Sequence, residues 1–173
     1  VDSLKRYVRQ VDDFPKKGIG FKDITPLLAD PRAFALTVDT IAFRFQERQI
    51  EGVVGIESRG FLFAAPVAHR LGVGVVPVRK RGKLPWKAKS VTYDLEYGQD
   101  TIEIHEDALR PGQRVLCVDD LLATGGTMRA CTDLVEGLGA QIVACAFVIE
   151  LEKLGGRRKL DGREIFSLIA YPD

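Results

Sequence analysis

Two adjacent carboxylates close an apolar run and open a glycine–threonine turn in Val115-Leu116-Cys117-Val118-Asp119-Asp120-Leu121-Leu122-Ala123-Thr124-Gly125-Gly126-Thr127. Neighbouring carboxylates at the end of a buried strand are costly to desolvate together, so they must face water or a group that bonds them. Ionised carboxylates only accept hydrogen bonds, and the hydroxyls of a sugar would suit them. Ala123, Thr124, Gly125, Gly126 and Thr127 then offer successive backbone N–H groups at a predicted helix start. Their glycines permit close approach and their threonine hydroxyls add donors, which suits a phosphate monoester. Sugar and phosphate side by side describe a ribose 5-phosphate. The bland alternative, an ordinary βα turn capped by threonine, gives no reason for the paired acids. The string carries neither the GK[ST] of a Walker loop nor GxGxxG spacing.

Two further segments could serve an anion. Glu57-Ser58-Arg59-Gly60 follows an apolar strand, so Arg59 is expected at the same sheet edge as the acidic pair. An arginine beside free N–H groups suits pyrophosphate; a helix cap by Ser58 with a surface arginine is the competing reading. Arg79-Lys80-Arg81-Gly82-Lys83 places four cations in five residues at the end of the next strand. A solvated charge run is the usual reason for such a cluster, whereas Gly82 and Pro85 favour a mobile, functional loop. His69 and His105 lie far apart and read as structural, and Cys117, Cys131 and Cys145 form no metal-ligand spacing.

The elements that must position these residues alternate along the chain. Strands are expected at residues 53–56, 73–78, 115–118, 142–149 and 165–169. A helix opens at the Asp30-Pro31 cap and runs to about residue 48, carrying Phe34, Val38, Ile41 and Phe45. A second carries Phe61, Ala64, Ala65, Ala68 and Leu71, with Pro66 in its first turn or at a kink, and a third carries Ala130, Cys131, Leu134 and Leu138. Continuous apolar strands separated by helices imply a doubly wound α/β fold, with a mostly parallel sheet covered on both faces. Leu4, Val8 and Val11 share one face of a short amphipathic helix candidate, followed by a loop over residues 14–25. We therefore expect a single domain over residues 1–173, with residues 1–30 as an N-terminal hood. Residues 79–100 form a flexible excursion with at best two short strands nearby, at 91–95 and 101–104. Ligands in such folds sit at the carboxyl ends of the strands.

Composition narrows the classes. The chain is 46% hydrophobic and 28% charged, which excludes a disordered segment or a disulfide scaffold. Lys and Arg number 25 against 24 Asp and Glu, and that balance speaks against a duplex nucleic-acid binder. No apolar run is long enough to span a bilayer, the first residues lack the apolar core of a signal peptide, and the dispersed thiols suit a reducing cytoplasm.

The acid–acid–glycine–threonine string resembles the phosphoribosyl pyrophosphate-binding motif of the type I phosphoribosyltransferases. Phe21-Lys22-Asp23-Ile24-Thr25-Pro26, Gly55 to Phe63, Arg79 to Pro85 and Leu95-Glu96-Tyr97-Gly98 follow in the family's order and spacing. Together they resemble those members that act on adenine, over essentially the whole chain. The resemblance implies transfer of a phosphoribosyl group from phosphoribosyl pyrophosphate to adenine, giving AMP and pyrophosphate, in a homodimer. Magnesium is expected to ride on the phosphoribosyl pyrophosphate, with no metal ligands assigned to the protein. It implies that Asp119, Asp120 and residues 123–127 hold the phosphoribosyl group. Glu57, Ser58, Arg59, Arg79, Lys80 and Lys83 then take the pyrophosphate, with a cis peptide at Glu57-Ser58 and part of the basic loop reaching across the dimer. It makes Glu96 the proton-transfer residue on a closing loop. Adenine falls to Phe21, to backbone groups of Gly20 and Lys22, and to Leu151 on the other face. From the residues alone, Phe21 is equally a core plug, and Trp86 is either an exposed or interface aromatic or a contact of the closing loop. Gly20 and Lys22 depart from relatives that carry a β-branched residue and arginine there; backbone readout survives both changes. The alternatives are a phosphoribosyltransferase for xanthine, hypoxanthine or guanine, or a non-catalytic nucleotide-sensing regulator on the same fold.

Overall fold

Apolar strands with no polar face must be covered on both sides, and that sets the layering. The computed structural model describes residues 2–95 and 97–172. The strands are β1 (Arg9–Val11), β2 (Phe21–Asp23), β3 (Gly52–Ile56), β4 (Gly74–Lys80), β5 (Ala88–Asp94), β6 (Gln99–His105), β7 (Arg114–Leu122), β8 (Gln141–Leu151) and β9 (Ile165–Tyr171). The helices are α1 (Thr25–Ala29), α2 (Pro31–Phe45), α3 (Arg59–Leu71) and α4 (Gly126–Gly137). Seven strands form the central sheet in the order β5-β6-β4-β3-β7-β8-β9. The run β4-β3-β7-β8-β9 is parallel, while β6 lies antiparallel to β4 and β5 antiparallel to β6.

Two apolar layers enclose the sheet. On one side Val53, Leu116, Val118 and Ala146 pack with Phe63 and Val67 of α3, Ile41 and Phe45 of α2, and Leu4 and Leu27 of the N-terminal segment. On the other, Val54, Ile56, Cys117 and Phe147 pack with Cys131, Leu134 and Val135 of α4 and with Ile102 and Ile104 of β6. The expected doubly wound arrangement is therefore present, and its order reverses between β3 and β7. A ligand crevice belongs at the carboxyl ends of those two strands.

Local signals explain most boundaries. Asp30 caps α2 by accepting from the N–H groups of Arg32 at 3.0 Å and Ala33 at 2.8 Å, with Pro31 at the first helical position. The three cysteines are free and buried. Three expectations require correction and one alternative is narrowed. The N-terminal amphipathic helix is a 3₁₀ turn, Asp2–Tyr7, followed by strand β1, because Val11 pairs across to Phe21 of β2. The short helix α1 stands where the loop was expected to end. Of the two alternatives for Pro66, the first turn is excluded: it lies well inside α3, where it removes one helical hydrogen bond to Leu62. Within the polar excursion, β5 and β6 each run seven residues and pair in full register from Ala88↔His105 to Asp94↔Gln99. Trp86 sits at the base of that hairpin, edge-on to His105 with ring centroids 6.4 Å apart.

Candidate functional site

Strand β7 is longer than its apolar run: it continues through Asp119 and Asp120 to Leu122. The two acids are thus strand residues at the switch point, only 9% and 7% exposed. They line a cleft of about 510 Å³ together with Glu57, Ser58, Arg59, Lys80 and residues 123–127. Burial, and then the adjacent Asp120 carboxylate, push Asp119 well above the usual carboxylate range. Arg59, in the first turn of α3, offsets one of the two charges, its Nε lying 2.7 Å from Asp120 Oδ2. Helix α3 can approach this closely because residue 60 is glycine; a Cβ there would stand 2.8 Å from Asp119 Oδ1.

The glycine–threonine turn is held from behind. Gly125 caps α4 in the left-handed region at φ 82°, and a side chain there would fall on the Gly156 carbonyl. Conversely, a Cβ on Gly156 would stand 2.5 Å from the Ala123 carbonyl oxygen and 2.7 Å from Leu122 Cδ1. The turn after β8 is therefore the floor on which residues 123–126 rest. Their N–H groups at the start of α4 point along a helix axis whose dipole favours an anion.

The β5–β6 hairpin makes the opposite wall. Tyr93 and Asp100, directly paired across the hairpin, line the cleft with Leu95 and Ile102. Thr127 donates to the Tyr93 hydroxyl at 3.3 Å, tying hairpin to turn, and Asp100 pairs with the Lys80 ammonium. Sequence reading passed over Tyr93, Asp100 and Gly156. The alternation through residues 88–94 and 99–105 could have signalled the first two, since a fixed hairpin register sets Tyr93 opposite Asp100. Gly156 has no local signal, because its neighbour Gly125 is remote in sequence.

The remaining candidates are distributed around this cleft. The Glu57–Ser58 peptide is cis, as the resemblance implied. Glu57 ties the basic segment together: it accepts from the Lys80 N–H at 2.5 Å, and Arg79 Nε and Lys83 Nζ each lie 3.5 Å from its carboxylate. Arg79 and Lys83 are not among the residues lining the cleft of their own chain, whereas Lys80 is. Burial would raise the Glu57 carboxyl, but the Lys80 N–H and the charges of Lys83 and Arg79 outweigh it and hold it below the ordinary glutamate range. Phe21 also stands outside the lining and is no plug: it is half-buried, edge-on to Phe14 at 5.1 Å, with the Arg59 guanidinium 5.4 Å from its ring centre. Lys22 lies over the Tyr171 ring at 4.0 Å, and Tyr171 pairs with Leu151 at the carboxyl end of β8. Gly20 is exposed at the foot of β2. Lys16, from the same N-terminal loop, reaches the Tyr97 ring at 4.5 Å, so the loop and the hairpin turn are in contact. Glu96, the expected proton-transfer residue, lies outside the described residues.

Residues 24–169 match the family described as phosphoribosyl transferase domain. The adenine phosphoribosyltransferase of Symbiobacterium thermophilum is 56% identical over 168 residues, covering 97% of this chain and 99% of its own. The crystal structure of adenine phosphoribosyltransferase from Thermoanaerobacter pseudethanolicus superposes with a TM-score of 0.95 at 53% identity, covering 98% and 99% of the two chains. That from Saccharomyces cerevisiae, complexed with an imino-altritol bisphosphate and adenine, has a TM-score of 0.93 at 43% identity, covering 96% and 97%.

Two outcomes test this geometry. Gly156→Ala forces a methyl group against the Ala123 carbonyl and is expected to cost about 1–3 kcal/mol in urea unfolding. The same variant should weaken calorimetric binding of ribose 5-phosphate; unchanged stability and binding would contradict the floor role. Glu57 has a folded pKa below its unfolded value, so its ionised form adds stability above about pH 4.3 that is lost as pH falls through the lower folded value. Glu57→Gln should therefore be less stable than the parent at pH 7, by on the order of 1 kcal/mol. That gap should close toward pH 3; a constant gap would show that charge is not its source.

Proposed function

The chain belongs to the adenine phosphoribosyltransferases of the phosphoribosyl transferase domain family, and from that premise we propose that it makes AMP and pyrophosphate from adenine and phosphoribosyl pyrophosphate, a purine-salvage reaction. The observation that carries this reading is the junction of β7 and α4, where two shielded carboxylates adjoin an N–H-rich turn on one cleft wall.

Each group then has a role. Residues 123–127 bind the 5-phosphate through backbone N–H groups and threonine hydroxyls. Asp119 and Asp120 accept from the ribose hydroxyls. As the bond to pyrophosphate breaks, positive charge develops on the ribose, and a carboxylate pair already in place stabilises it without reorganisation. Arg59 and Lys80 face the leaving pyrophosphate, while Arg79 and Lys83 serve a neighbouring cleft or its rim. Asp119 and Asp120 offer hard carboxylate oxygens on the cleft wall, which fit a hydrated magnesium ion carried by the substrate. Bound there, magnesium would neutralise charge on the pyrophosphate. Phe21, Gly20, Lys22 and Leu151 form the adenine side, with Phe21 offering a ring face beside Arg59. Glu96 exchanges a proton with the purine as its nitrogen attacks the ribose. The Lys16–Tyr97 contact supports a hairpin turn that meets the N-terminal loop over the bound base, which would exclude water from the reacting centre.

A homodimer in the cytoplasm is the expected setting. Val75 and Pro77 of β4 are exposed, as are Leu62 of α3 and Phe43 of α2, giving apolar surface that a second copy would cover. Three buried free thiols suit a reducing compartment, and among the described residues no helix is long and apolar enough to cross a membrane. Light scattering should return twice the chain mass of 19.1 kDa; a monomer at micromolar concentration would refute the dimer.

Pyrophosphate release should occur with phosphoribosyl pyrophosphate, magnesium and adenine, and not with hypoxanthine, guanine or xanthine. Release with another base would reassign the pocket, and silence with all four in protein that binds phosphoribosyl pyrophosphate would favour a nucleotide sensor. Glu96→Gln should lower kcat by about 10²-fold or more, with a much smaller change in phosphoribosyl pyrophosphate affinity. An equal loss in both would remove Glu96 from proton transfer.

A further inference from the structure

The basic side chains assigned to pyrophosphate already have carboxylate partners. Arg59 is paired with Asp120, Arg79 and Lys83 with Glu57, and Lys80 with Asp100. The last pair differs from the others because nothing in the ribose or phosphate subsites calls for Asp100. It stands on the hairpin wall, lines the same cleft as Lys80, and presents a negative charge where an anionic leaving group must sit.

The local geometry separates a fixed partner from a movable one. Asp100 Oδ1 accepts from the N–H of Thr101 at 2.9 Å, and the Asp100 side chain is 21% exposed on a fully paired hairpin. Its other oxygen takes the Lys80 ammonium. The Lys80 backbone is equally fixed, paired with Ile102 and bonded to Glu57, but its side chain is 47% exposed. A flexible ammonium can thus change partner while the carboxylate stays where it is. Burial would raise Asp100, but the bonds from Lys80 and the Thr101 N–H outweigh it, and the Asp100 bond in turn raises Lys80. Both groups are therefore charged at neutral pH. The Thr101 N–H remains as a donor to Asp100 when the ammonium leaves.

We propose that Asp100 is a built-in competitor for the Lys80 ammonium, displaced when pyrophosphate binds, so that it sets how tightly the cleft holds that anion. This rests on the pyrophosphate subsite proposed above. The exchange replaces one ion pair with another, so Lys80 is never left in the cleft without a counter-charge. The displaced carboxylate remains beside the anion and weakens its grip, which favours product release.

Calorimetric titration with inorganic pyrophosphate and magnesium tests the idea on the parent protein, Asp100→Asn, Lys80→Met and the double variant, with ribose 5-phosphate titrated in parallel. Asp100→Asn should tighten pyrophosphate about three- to fivefold, the scale of a partly exposed ion pair. It should leave ribose 5-phosphate affinity unchanged. Lys80→Met should weaken pyrophosphate, and in that background the effect of Asp100→Asn should largely disappear. Unchanged or weaker pyrophosphate binding in Asp100→Asn would overturn the proposal. So would equal tightening with and without Lys80, since that would reflect the general field of the cleft. Asp100→Ser, read by the same criteria, serves if the amide variant fails to fold. A parent protein that takes ribose 5-phosphate but no pyrophosphate would instead refute the subsite itself.

Discussion

Two carboxylates side by side at the shielded end of a central strand are the constraint around which the molecule is arranged. Left alone they would repel one another and resist desolvation. Arg59 offsets Asp120 from one side, and Gly60 lets the helix that carries Arg59 come near enough to do so. Asp119 is shielded further in, where the Asp120 N–H donates to its Oδ1 at 2.9 Å while burial and the Asp120 charge push its carboxyl up. The switch in strand order between β3 and β7 opens the crevice at this point, so the same topology that buries the acids also admits a ligand to them.

Charge balance governs the rest of the cleft. The cations in and around it are organised by carboxylates rather than left to repel each other: Glu57 gathers Arg79 near the end of β4 and Lys83 beyond it, and Asp100 holds Lys80. A near-neutral chain can in this way gather cations at one place: the positive charge is local and already paired. The β5–β6 hairpin contributes twice, through Asp100 to Lys80 of β4 and through Tyr93 to Thr127 at the start of α4.

The parallel core was readable in the chain because its strands are continuous apolar runs with helices at the right period between them, and the Asp30-Pro31 cap marked the start of α2. The phosphate turn was readable for the same local reason: acids, glycines and threonines follow one another in a single stretch. Three errors of type or position share another origin. Val11 reads as part of a helical face with Leu4 and Val8, yet pairing with Phe21 makes it a strand. The polar residues 88–94 show little core signal, yet pairing with β6 orders them. The strand expected at residues 115–118 stops just short of Asp119 and Asp120, and the ladder to β8 keeps them in it.

Local sequence thus determined which groups would do chemistry and which family motif they form, since each motif lies within a few residues and its chemistry follows from residue type. Tertiary structure alone decided which of those groups share a cleft. It set Arg59 against Asp120, Lys80 against Asp100, and Gly156 beneath Gly125, while leaving Arg79, Lys83, Phe21 and Leu151 outside the cleft lining. The reason is physical: burial, ion pairing and backbone contact depend on distances between segments remote in the chain, and those distances are fixed only when the two faces of the sheet are packed.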